Sequence, residues 1–190
     1  MFKYSQLDYD KFYSSEQCQL ENKAILEILD GYCARGDTVV DLGAGTGLAS
    51  ALMGCKCHVI QVEADADMLR QNHYLNFVNC DALQYLGNRE TKSVDVVTSI
   101  FALNYMSLGT ITEAARVARK ACVFVLYNKP YLDGSASFYA GKKWLYLLKH
   151  WLKSRLINAR LNRLKLHGFS TWSFPLLGQS YYTVVVVRRA

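Results

Sequence analysis

The sequence predicts a single α/β domain in which parallel strands alternate with crossover helices. Three observations lead to this fold class. The chain has 190 residues, 51% hydrophobic and 20% charged, a composition typical of one globular domain. After Gly31, short apolar runs alternate with stretches of helical spacing, as in sheets whose parallel strands are joined by helices. Two consecutive strand-like runs close the chain, and their short connection predicts an antiparallel hairpin.

Each predicted element follows from its apolar spacing. The first helix has Leu20, Ala24 and Ile28 on one face, whereas the strands are short and mostly apolar. The predicted helices are 16–29, 47–54, 65–73, 82–86, 110–118 and 141–166, and the predicted strands are 38–42, 57–62, 76–79, 94–99, 122–127, 169–174 and 181–188.

Several classes of protein are excluded by composition. The start of the chain has no apolar core of a secretory signal, and its longest aliphatic run, 184–187, is far shorter than the roughly 18 residues of a membrane span. The six cysteines form no CxxC pair, so no metal is expected. We therefore expect a reduced, cytoplasmic protein.

The formal net charge of +6 is unevenly distributed. Residues 1–133 hold 12 basic and 16 acidic side chains, whereas residues 134–190 hold 10 basic side chains and no acid. A basic segment alone does not establish a nucleic-acid site.

The most informative segment is VVDLGAGTGL at 39–48. A buried strand leads into three alternate glycines, which let the backbone approach a ligand closely before a helix begins. The dinucleotide fingerprint GxGxxG fits imperfectly, because the third glycine comes one place early and position 48 is Leu.

DLGAGTG, with an acid at the end of the next strand in VIQVEADADML, resembles the class I S-adenosylmethionine-dependent methyltransferases. The segment SVDVVTSIFALNYM is similar to the family's fourth strand and following loop, as found in its small-molecule, biosynthetic-type members. The resemblance implies a Rossmann-like, mostly parallel seven-stranded sheet of order 3-2-1-4-5-7-6, with helices on both faces and a C-terminal antiparallel hairpin. It also implies S-adenosylmethionine as the cofactor.

The resemblance assigns the cofactor site to the carboxyl edge of the sheet. Glu63 would accept hydrogen bonds from the ribose hydroxyls, and Ala64 would pack on the adenine. Asp81 would accept from the adenine amino group, although it also suits the N-cap of a short helix. The remaining residues implied to surround the cofactor are Asp41, Gly43, Ala44, Gly45, Gly47, Ala82, Ser99 and Ile100.

Motifs that other methyltransferases have and this sequence lacks reduce the number of possible acceptor classes. The segment at 98–101, TSIF, is not the Asp/Asn-Pro-Pro-aromatic loop of enzymes that methylate nucleic-acid amino groups. The acid-free tail lacks the late glutamate of ribose methylation, and no carboxylate cluster suits metal-assisted catechol chemistry. The leading hypothesis is proximity-driven, in-line methyl transfer to a small molecule, with no catalytic residue identified. The alternatives are an RNA or protein methyltransferase docking through the basic helix 142–163, and a non-catalytic S-adenosylmethionine-binding partner protein.

We expect one methyltransferase domain over 1–190, divided into an N-terminal lid and helix at 1–30, a cofactor-binding core at 31–130, and a long helix with the closing hairpin at 131–190. Tyr9 and Tyr13 would belong to the lid, or to an arm packed on the core. Asn104 and Tyr105 would hydrogen-bond an acceptor, or pack as an ordinary loop. The four histidines at 58, 73, 150 and 167 are interpreted as structural residues on element surfaces.

The helix 141–166 is unusual because its surface is apolar beyond one stripe. Either it breaks near 154–158, or the surplus apolar surface meets a second subunit in a homodimer, a lipid-like acceptor or a membrane surface. An ordinary crossover helix with a solvated basic stripe remains the alternative. That stripe, within roughly 80° of arc, comprises Lys142, Lys149, Lys153, Arg160 and Arg163.

Overall fold

The structure is a computed structural model that describes residues 16–74, 76–127, 143–178 and 182–189. Short 3-10 helices at Leu103–Tyr105 and Leu176–Gly178 accompany its regular elements. The helices are α1 (Glu16–Asp30), α2 (Leu48–Met53), α3 (Ala66–Leu69), α4 (Ala82–Gly87), α5 (Gly109–Val117) and α6 (Lys143–Leu166), and the strands are β1 (Thr38–Leu42), β2 (His58–Glu63), β3 (Phe77–Asn79), β4 (Val94–Ile100), β5 (Ala118–Tyr127), β6 (Phe169–Pro175) and β7 (Tyr182–Arg189).

The seven strands form one sheet in the order β3-β2-β1-β4-β5-β7-β6. Neighbouring strands from β3 to β5 are parallel, and β7 is antiparallel to both β5 and β6. The predicted fold class and strand order are confirmed. Because β1 pairs with β2 on one side and with β4 on the other, the segments that follow these three strands meet at one edge.

Each face of the sheet is covered by its own apolar layer. Helices α1 and α2 pack on one face, with Ile25, Leu29 and Met53 fully buried against alternate strand residues. The other face is covered by α4, α5 and α6, where Leu86 and Ile111 are buried at 0% and 1% exposure. The alternation of strand side chains between these two layers explains why the strands are apolar along nearly their whole length.

Helix α3 is shorter than the predicted 65–73. Asp65 caps its first turn by accepting a hydrogen bond from the Asp67 amide at 2.9 Å. The chain then leaves the helix because the side chain of Asn72 is engaged elsewhere, accepting from the Tyr74 amide and donating to Gln61. Local side-chain hydrogen bonds of this kind compete with helix propagation.

Helix α6 is continuous from Lys143 to Leu166, so the expected alternative of a break near 154–158 is wrong. As the crossover between the parallel strands β5 and β6, it runs opposite to them, and its first half lies at the carboxyl edge of the sheet. None of the helices in the described ranges combines the length and the apolar character that a membrane span requires.

Candidate functional site

The glycine loop begins where β1 ends, and its backbone is held by the neighbouring strand. The amides of Gly43 and Ala44 both donate to the Val62 carbonyl, at 2.8 and 3.2 Å. Gly43, Gly45 and Gly47 all have positive φ, at 68°, 55° and 99°. Alternate glycines in left-handed conformations give the tight turn that leads into α2.

Position 43 also requires glycine because the segment after β4 approaches its backbone too closely to leave room for a side chain. A Cβ at this position would collide with the Cβ of Ala102 and lie 2.7 Å from the terminal methyl carbon of Met106. The turn after β4 therefore packs directly on the glycine loop. Any side chain at position 43 would push these two segments apart.

Gly47 packs against a second group of residues that hold the glycine loop in place. A Cβ there would lie 2.7 Å from Asn72 Oδ1 and 2.7 Å from the ring of Tyr74. Asn72 Nδ2 donates to the Gly45 carbonyl at 3.3 Å and to Gln61 Oε1 at 2.6 Å, while Gln61 is fully buried. These supporting residues were missed by sequence reasoning, and the detectable signal was a glutamine inside an otherwise apolar strand.

Glu63 ends β2 and has both carboxylate oxygens fixed by backbone amides. Oε2 accepts from Gly45 at 3.0 Å, and Oε1 accepts from Asp65 at 2.8 Å. Each carboxylate oxygen can accept a second hydrogen bond. The side chain is therefore oriented across the glycine loop and remains suited to a pair of ligand hydroxyl groups.

Asp41 lies beside Glu63 in a different environment. Its side chain is 2% exposed, and its Oδ1 is buried without a hydrogen-bond partner. Burial raises the pKa of Asp41 well above its ordinary value, and the nearby negative charge of Glu63 adds to this rise. A buried carboxyl group with an unused oxygen suits a cationic ligand group, which would reverse both effects.

The residues after β3 are brought to the same edge. Asn79 Nδ2 donates to the carbonyls of Glu63 and Ala64 at 2.9 and 3.1 Å. Asp81 caps α4, its Oδ1 accepting from the amides of Leu83 and Gln84 at 2.8 and 3.1 Å. Ala64 and Asp81 are exposed, whereas Ala82 is buried at 6%. The N-cap interpretation of Asp81 is observed, and it leaves the ligand role as a prediction.

Ser99 and Ile100 lie at the end of β4. Unlike the exposed residues after β2, both are buried. Ser99 is fully buried, and its hydroxyl donates to the Leu42 carbonyl at 2.9 Å. Ile100 is 9% exposed. The hydroxyl of Ser99 thus ties the ends of β1 and β4 together, a role that sequence reasoning did not assign to it.

The predicted acceptor residues divide between buried and exposed positions. Asn104 is 7% exposed, whereas Tyr105, its neighbour in the same 3-10 helix, is 54% exposed. Tyr9 and Tyr13 lie outside the described residues. The hypothesis of an acceptor site at the turn after β4 therefore stays a prediction, with Tyr105 as the more accessible of its two described side chains.

The inward face of α6 changes character along its length. Ile157, Leu161 and Leu164 are buried in the core, but one turn before them Ser154 Oγ is buried without a partner. A further turn back, His150 is 8% exposed and its Nε2 also has no partner. Burial lowers the pKa of His150, which favours the neutral imidazole. The expectation of a surface position is met by His58, His73 and His167 and is wrong for His150.

Two cations of the predicted solvated stripe turn toward the protein. Lys153 Nζ donates to the Met106 carbonyl, and Arg160 Nε donates to the Leu108 carbonyl at 3.5 Å. Burial lowers the pKa of Lys153. Lys149 and Arg163 are exposed as expected, and Lys142 lies outside the described residues.

Met106 therefore joins α6 to the glycine loop. Its carbonyl accepts from Lys153, and its side chain reaches the space beside Gly43. The polar part of the inward face of α6 begins at this junction. The site thus combines a glycine loop, a fixed carboxylate, an unpartnered buried carboxyl oxygen and a polar helix segment on the far side of the turn after β4.

Comparison with known proteins agrees with this geometry. Residues 40–126 match a family model described as a methyltransferase domain. This range runs from β1 through β5 and includes the glycine loop, Glu63, Asp81 and the turn after β4. No curated protein matches the chain.

Three solved structures show the likeness of the fold. A SAM-dependent methyltransferase from Aquifex aeolicus has a TM-score of 0.63 and 17% identity, with 100% of both chains covered. Magnesium protoporphyrin IX methyltransferase from Synechocystis, solved with bound SAM, has a TM-score of 0.58 and 18% identity, with 100% of this chain and 86% of that chain covered. A methyltransferase assigned to an antibiotic biosynthesis pathway of Anabaena variabilis has a TM-score of 0.59 and 21% identity, and the alignment covers 79% of this chain but 64% of that longer chain.

Proposed function

We propose that this chain is a class I S-adenosylmethionine-dependent methyltransferase and that it transfers the methyl group to a small-molecule acceptor by proximity-driven, in-line displacement. The cofactor, S-adenosylmethionine, supplies a methyl group already activated by a sulfonium centre. The protein's own task is then to align the acceptor, to exclude water and to receive a proton where the acceptor carries one.

The observation that carries this proposal is the contact between Gly43 and the turn after β4. Ala102 and Met106 lie against Gly43, so the segment after β4 places two apolar side chains beside the glycine loop. An apolar surface beside the donor would help to exclude water and would suit a compact acceptor with an apolar body. It also fits a reaction in which positioning contributes most of the rate.

On the cofactor side, the residues at the strand ends fit the groups that S-adenosylmethionine carries. The Glu63 carboxylate, held by two amides, would accept hydrogen bonds from the ribose hydroxyls. The unpartnered oxygen of Asp41 would face the cationic methionine end. Asp81 and Ala64 would contact the adenine from the edge formed by the third strand.

On the acceptor side, we assign a hydrogen-bonding role to His150 and Ser154. They are one helical turn apart, both have a buried polar atom without a partner, and they lie on the inward face of the helix that Lys153 links to Met106. A neutral His150 can accept a proton or a hydrogen bond from an acceptor hydroxyl or amine. The acceptor class we favour is therefore a compact molecule with an apolar body and one such donor.

Proteins of this fold act on different acceptors. The neighbours include the plantazolicin methyltransferase BamL and a protein assigned as an rRNA methylase. Docking of RNA through the basic helix 142–163 would have two fewer cations available, because Lys153 and Arg160 donate to backbone carbonyls. Cations used inside the protein are not available for phosphates.

A second contact surface is proposed on α6, as the sequence suggested. Its exposed leucines favour contact with either a second copy of the chain in a homodimer or a lipid surface. This contact is separate from the glycine loop, because it uses the side of the helix that faces away from the sheet.

The proposed function is tested by incubating the chain with methyl-labelled S-adenosylmethionine and a cell lysate separated into small-molecule, RNA and protein fractions. We expect label in the small-molecule fraction, and none there with Gly45→Val, because a side chain at φ 55° near Met68 distorts the loop. Label confined to RNA or protein would overturn the acceptor class while leaving methyl transfer intact. Unchanged cofactor affinity in Gly45→Val or Glu63→Ala, measured by calorimetry with S-adenosylhomocysteine, would contradict the site.

A further inference from the structure

Helix α6 has an apolar surface on the side opposite the face that packs on the sheet. Its inward side packs on the sheet through residues such as Ile157, which is only 1% exposed. An amphipathic crossover helix normally presents charged residues on the other side. Here the solvent side instead exposes four large apolar residues, which we call the outer stripe: Leu148 at 42%, Trp151 at 50%, Leu152 at 46% and Leu156 at 51%.

The spacing makes the outer stripe continuous. Leu148, Leu152 and Leu156 follow one another at intervals of four residues, and Trp151 stands three residues after the first of them. At about 100° per residue, such positions fall on neighbouring points of one side of a helix. The stripe therefore extends over about two turns. One exposed cation, Arg155, lies within its arc, between Trp151 and Leu148.

The charges that flank the stripe are all of one sign. The sequence of α6, KWLYLLKHWLKSRLINARLNRLKL, has seven Lys or Arg residues and no acid. Lys149 and Arg163 are exposed beside the stripe, and the guanidinium of Arg155 lies over the Trp151 ring at 4.4 Å. Leucine, tryptophan and nearby cations are the residue types through which interfacial helices contact a membrane surface, and in α6 the opposite face packs on the sheet.

We propose that the outer stripe docks on an anionic lipid surface, with its apolar side chains entering the headgroup boundary and its flanking cations contacting lipid phosphates. Charge decides among the possible occupants. Two copies meeting through this face in a two-fold dimer would place one acid-free, basic helix against another, because a two-fold interface pairs a surface with itself. Like charges brought together across an interface oppose association.

A nucleic acid fits the face less well for a different reason. Phosphate-binding surfaces place cations where the backbone of the nucleic acid passes, whereas this face is mostly leucine and tryptophan, with Arg155 as the cation among them. A lipid surface takes both components at once, because it has anionic headgroups above an apolar interior. The orientation follows: α6 lies flat, and the sheet stands away from the membrane.

The proposal is tested by sedimenting the full chain with vesicles of phosphatidylcholine alone and of phosphatidylcholine mixed equally with phosphatidylglycerol. We expect at least about tenfold stronger binding to the mixed vesicles, and a loss of that preference at high salt. In a background with Trp144→Phe and Trp172→Phe, the emission of Trp151 should shift to shorter wavelength when the mixed vesicles are added.

Matched variants distinguish binding through the outer stripe from non-specific adsorption to vesicles. Leu152→Asp should abolish binding, whereas Leu20→Asp on α1, where the leucine is 51% exposed, should leave it unchanged. Lys149→Glu with Arg163→Glu, which keeps the apolar residues, should remove the anionic preference. Circular dichroism and affinity for S-adenosylhomocysteine report whether each variant is folded.

Two outcomes would overturn the proposal. The first is equal binding of the wild-type chain to both kinds of vesicle, or binding that the folded Leu152→Asp variant retains. The second is a stable dimer that forms in the absence of vesicles and is lost in Leu152→Asp, as measured by light scattering. Because neither readout depends on methyl transfer, failure here would leave the proposed function untouched.

Discussion

The glycine loop and helix α6 both bury polar groups, but they satisfy them differently. At the loop, Glu63 has each carboxylate oxygen bound to a backbone amide within 3.0 Å. On α6, His150 and Ser154 keep buried atoms without partners. A satisfied group holds one position whether or not a ligand is present, whereas an unpartnered buried group costs free energy until something binds it. The loop is therefore organised in advance, and the inward end of α6 still has unmet hydrogen-bonding capacity.

Asp41 lies beside the glycine loop, but like His150 and Ser154 it has a buried polar atom without a partner. Its carboxyl group is as buried as the core leucines, yet one oxygen has no partner. The same edge of the sheet thus holds one carboxylate that organises the loop and another suited to a ligand charge. The following variants test this division between organising and ligand-facing groups.

Gly43→Ala should give the largest effect. The added methyl would collide with Ala102 and face Met106 at 2.7 Å, at a φ of 68°. We expect the affinity for S-adenosylhomocysteine, measured by calorimetry, to fall roughly 100-fold, because displacements of about 1 Å in a positioned site have effects of that order.

Gly36→Ala is the matched control for backbone strain. Gly36 has a φ of 84°, but a Cβ there would meet nothing within 4 Å. Gly36→Ala should lose about 1 kcal/mol of free energy of unfolding from backbone strain. Gly43→Ala should lose that amount and a further cost of about 1 to 3 kcal/mol from the collision, and only Gly43→Ala should lose cofactor affinity. Equal affinities in the two variants would show that closure over position 43 is not needed for binding.

Asp41→Asn should change stability and binding in opposite directions. The folded protein raises the pKa of this carboxyl, so the wild type loses stability as pH rises from the ordinary Asp range toward the raised value. The neutral variant escapes that loss, and above this window the unliganded variant should be more stable by about 1 to 3 kcal/mol. Affinity for the cationic cofactor should fall at least about tenfold.

Thermal unfolding across pH and calorimetry together check this prediction. At low pH, where Asp41 is protonated in both folded and unfolded chains, the two proteins should unfold at similar temperatures. A variant that is less stable than the wild type at neutral pH would mean that the Asp41 carboxyl group stabilises the unliganded fold. Unchanged cofactor affinity would remove Asp41 from the ligand-facing groups.

The ease of predicting these two regions from sequence also differs. Strand β1 was placed at its observed bounds, and Glu63 was correctly placed at the end of β2, because an apolar run, alternate glycines and a strand-end acid are all local features. The supports of the loop were not found, since Asn72 reaches Gly45 across 27 residues of chain. The hydrogen bond of Ser99 to Leu42 was also not predicted, because nothing in its neighbours shows it, and the cofactor contact expected of Ser99 stays a prediction.

Helix α6 was predicted as a helix, but the roles of its faces were not. Lys153 and Arg160 were interpreted as solvated because their spacing matches a charged stripe. In the fold, long side chains at the margin of a buried face can reach carbonyls of a neighbouring turn, as both do. Which margin faces that turn depends on the packing of α6 against α5 and the residues after β4, and such packing is not encoded in local spacing.

His150→Gln should give the smallest of these effects, and it separates the inward end of α6 from the glycine loop. Gln keeps a polar side chain but places its amide differently from the imidazole Nε2, so a hydrogen bond to the acceptor would be weakened. We expect label transfer into the small-molecule fraction to slow about fivefold to tenfold, while affinity for S-adenosylhomocysteine stays unchanged. His167→Gln, at an exposed position after the end of the same helix, should leave both quantities as they are. If His150→Gln instead weakened cofactor binding, the two regions would form one ligand site; if it changed neither quantity, the unpartnered imidazole would have no part in holding the acceptor.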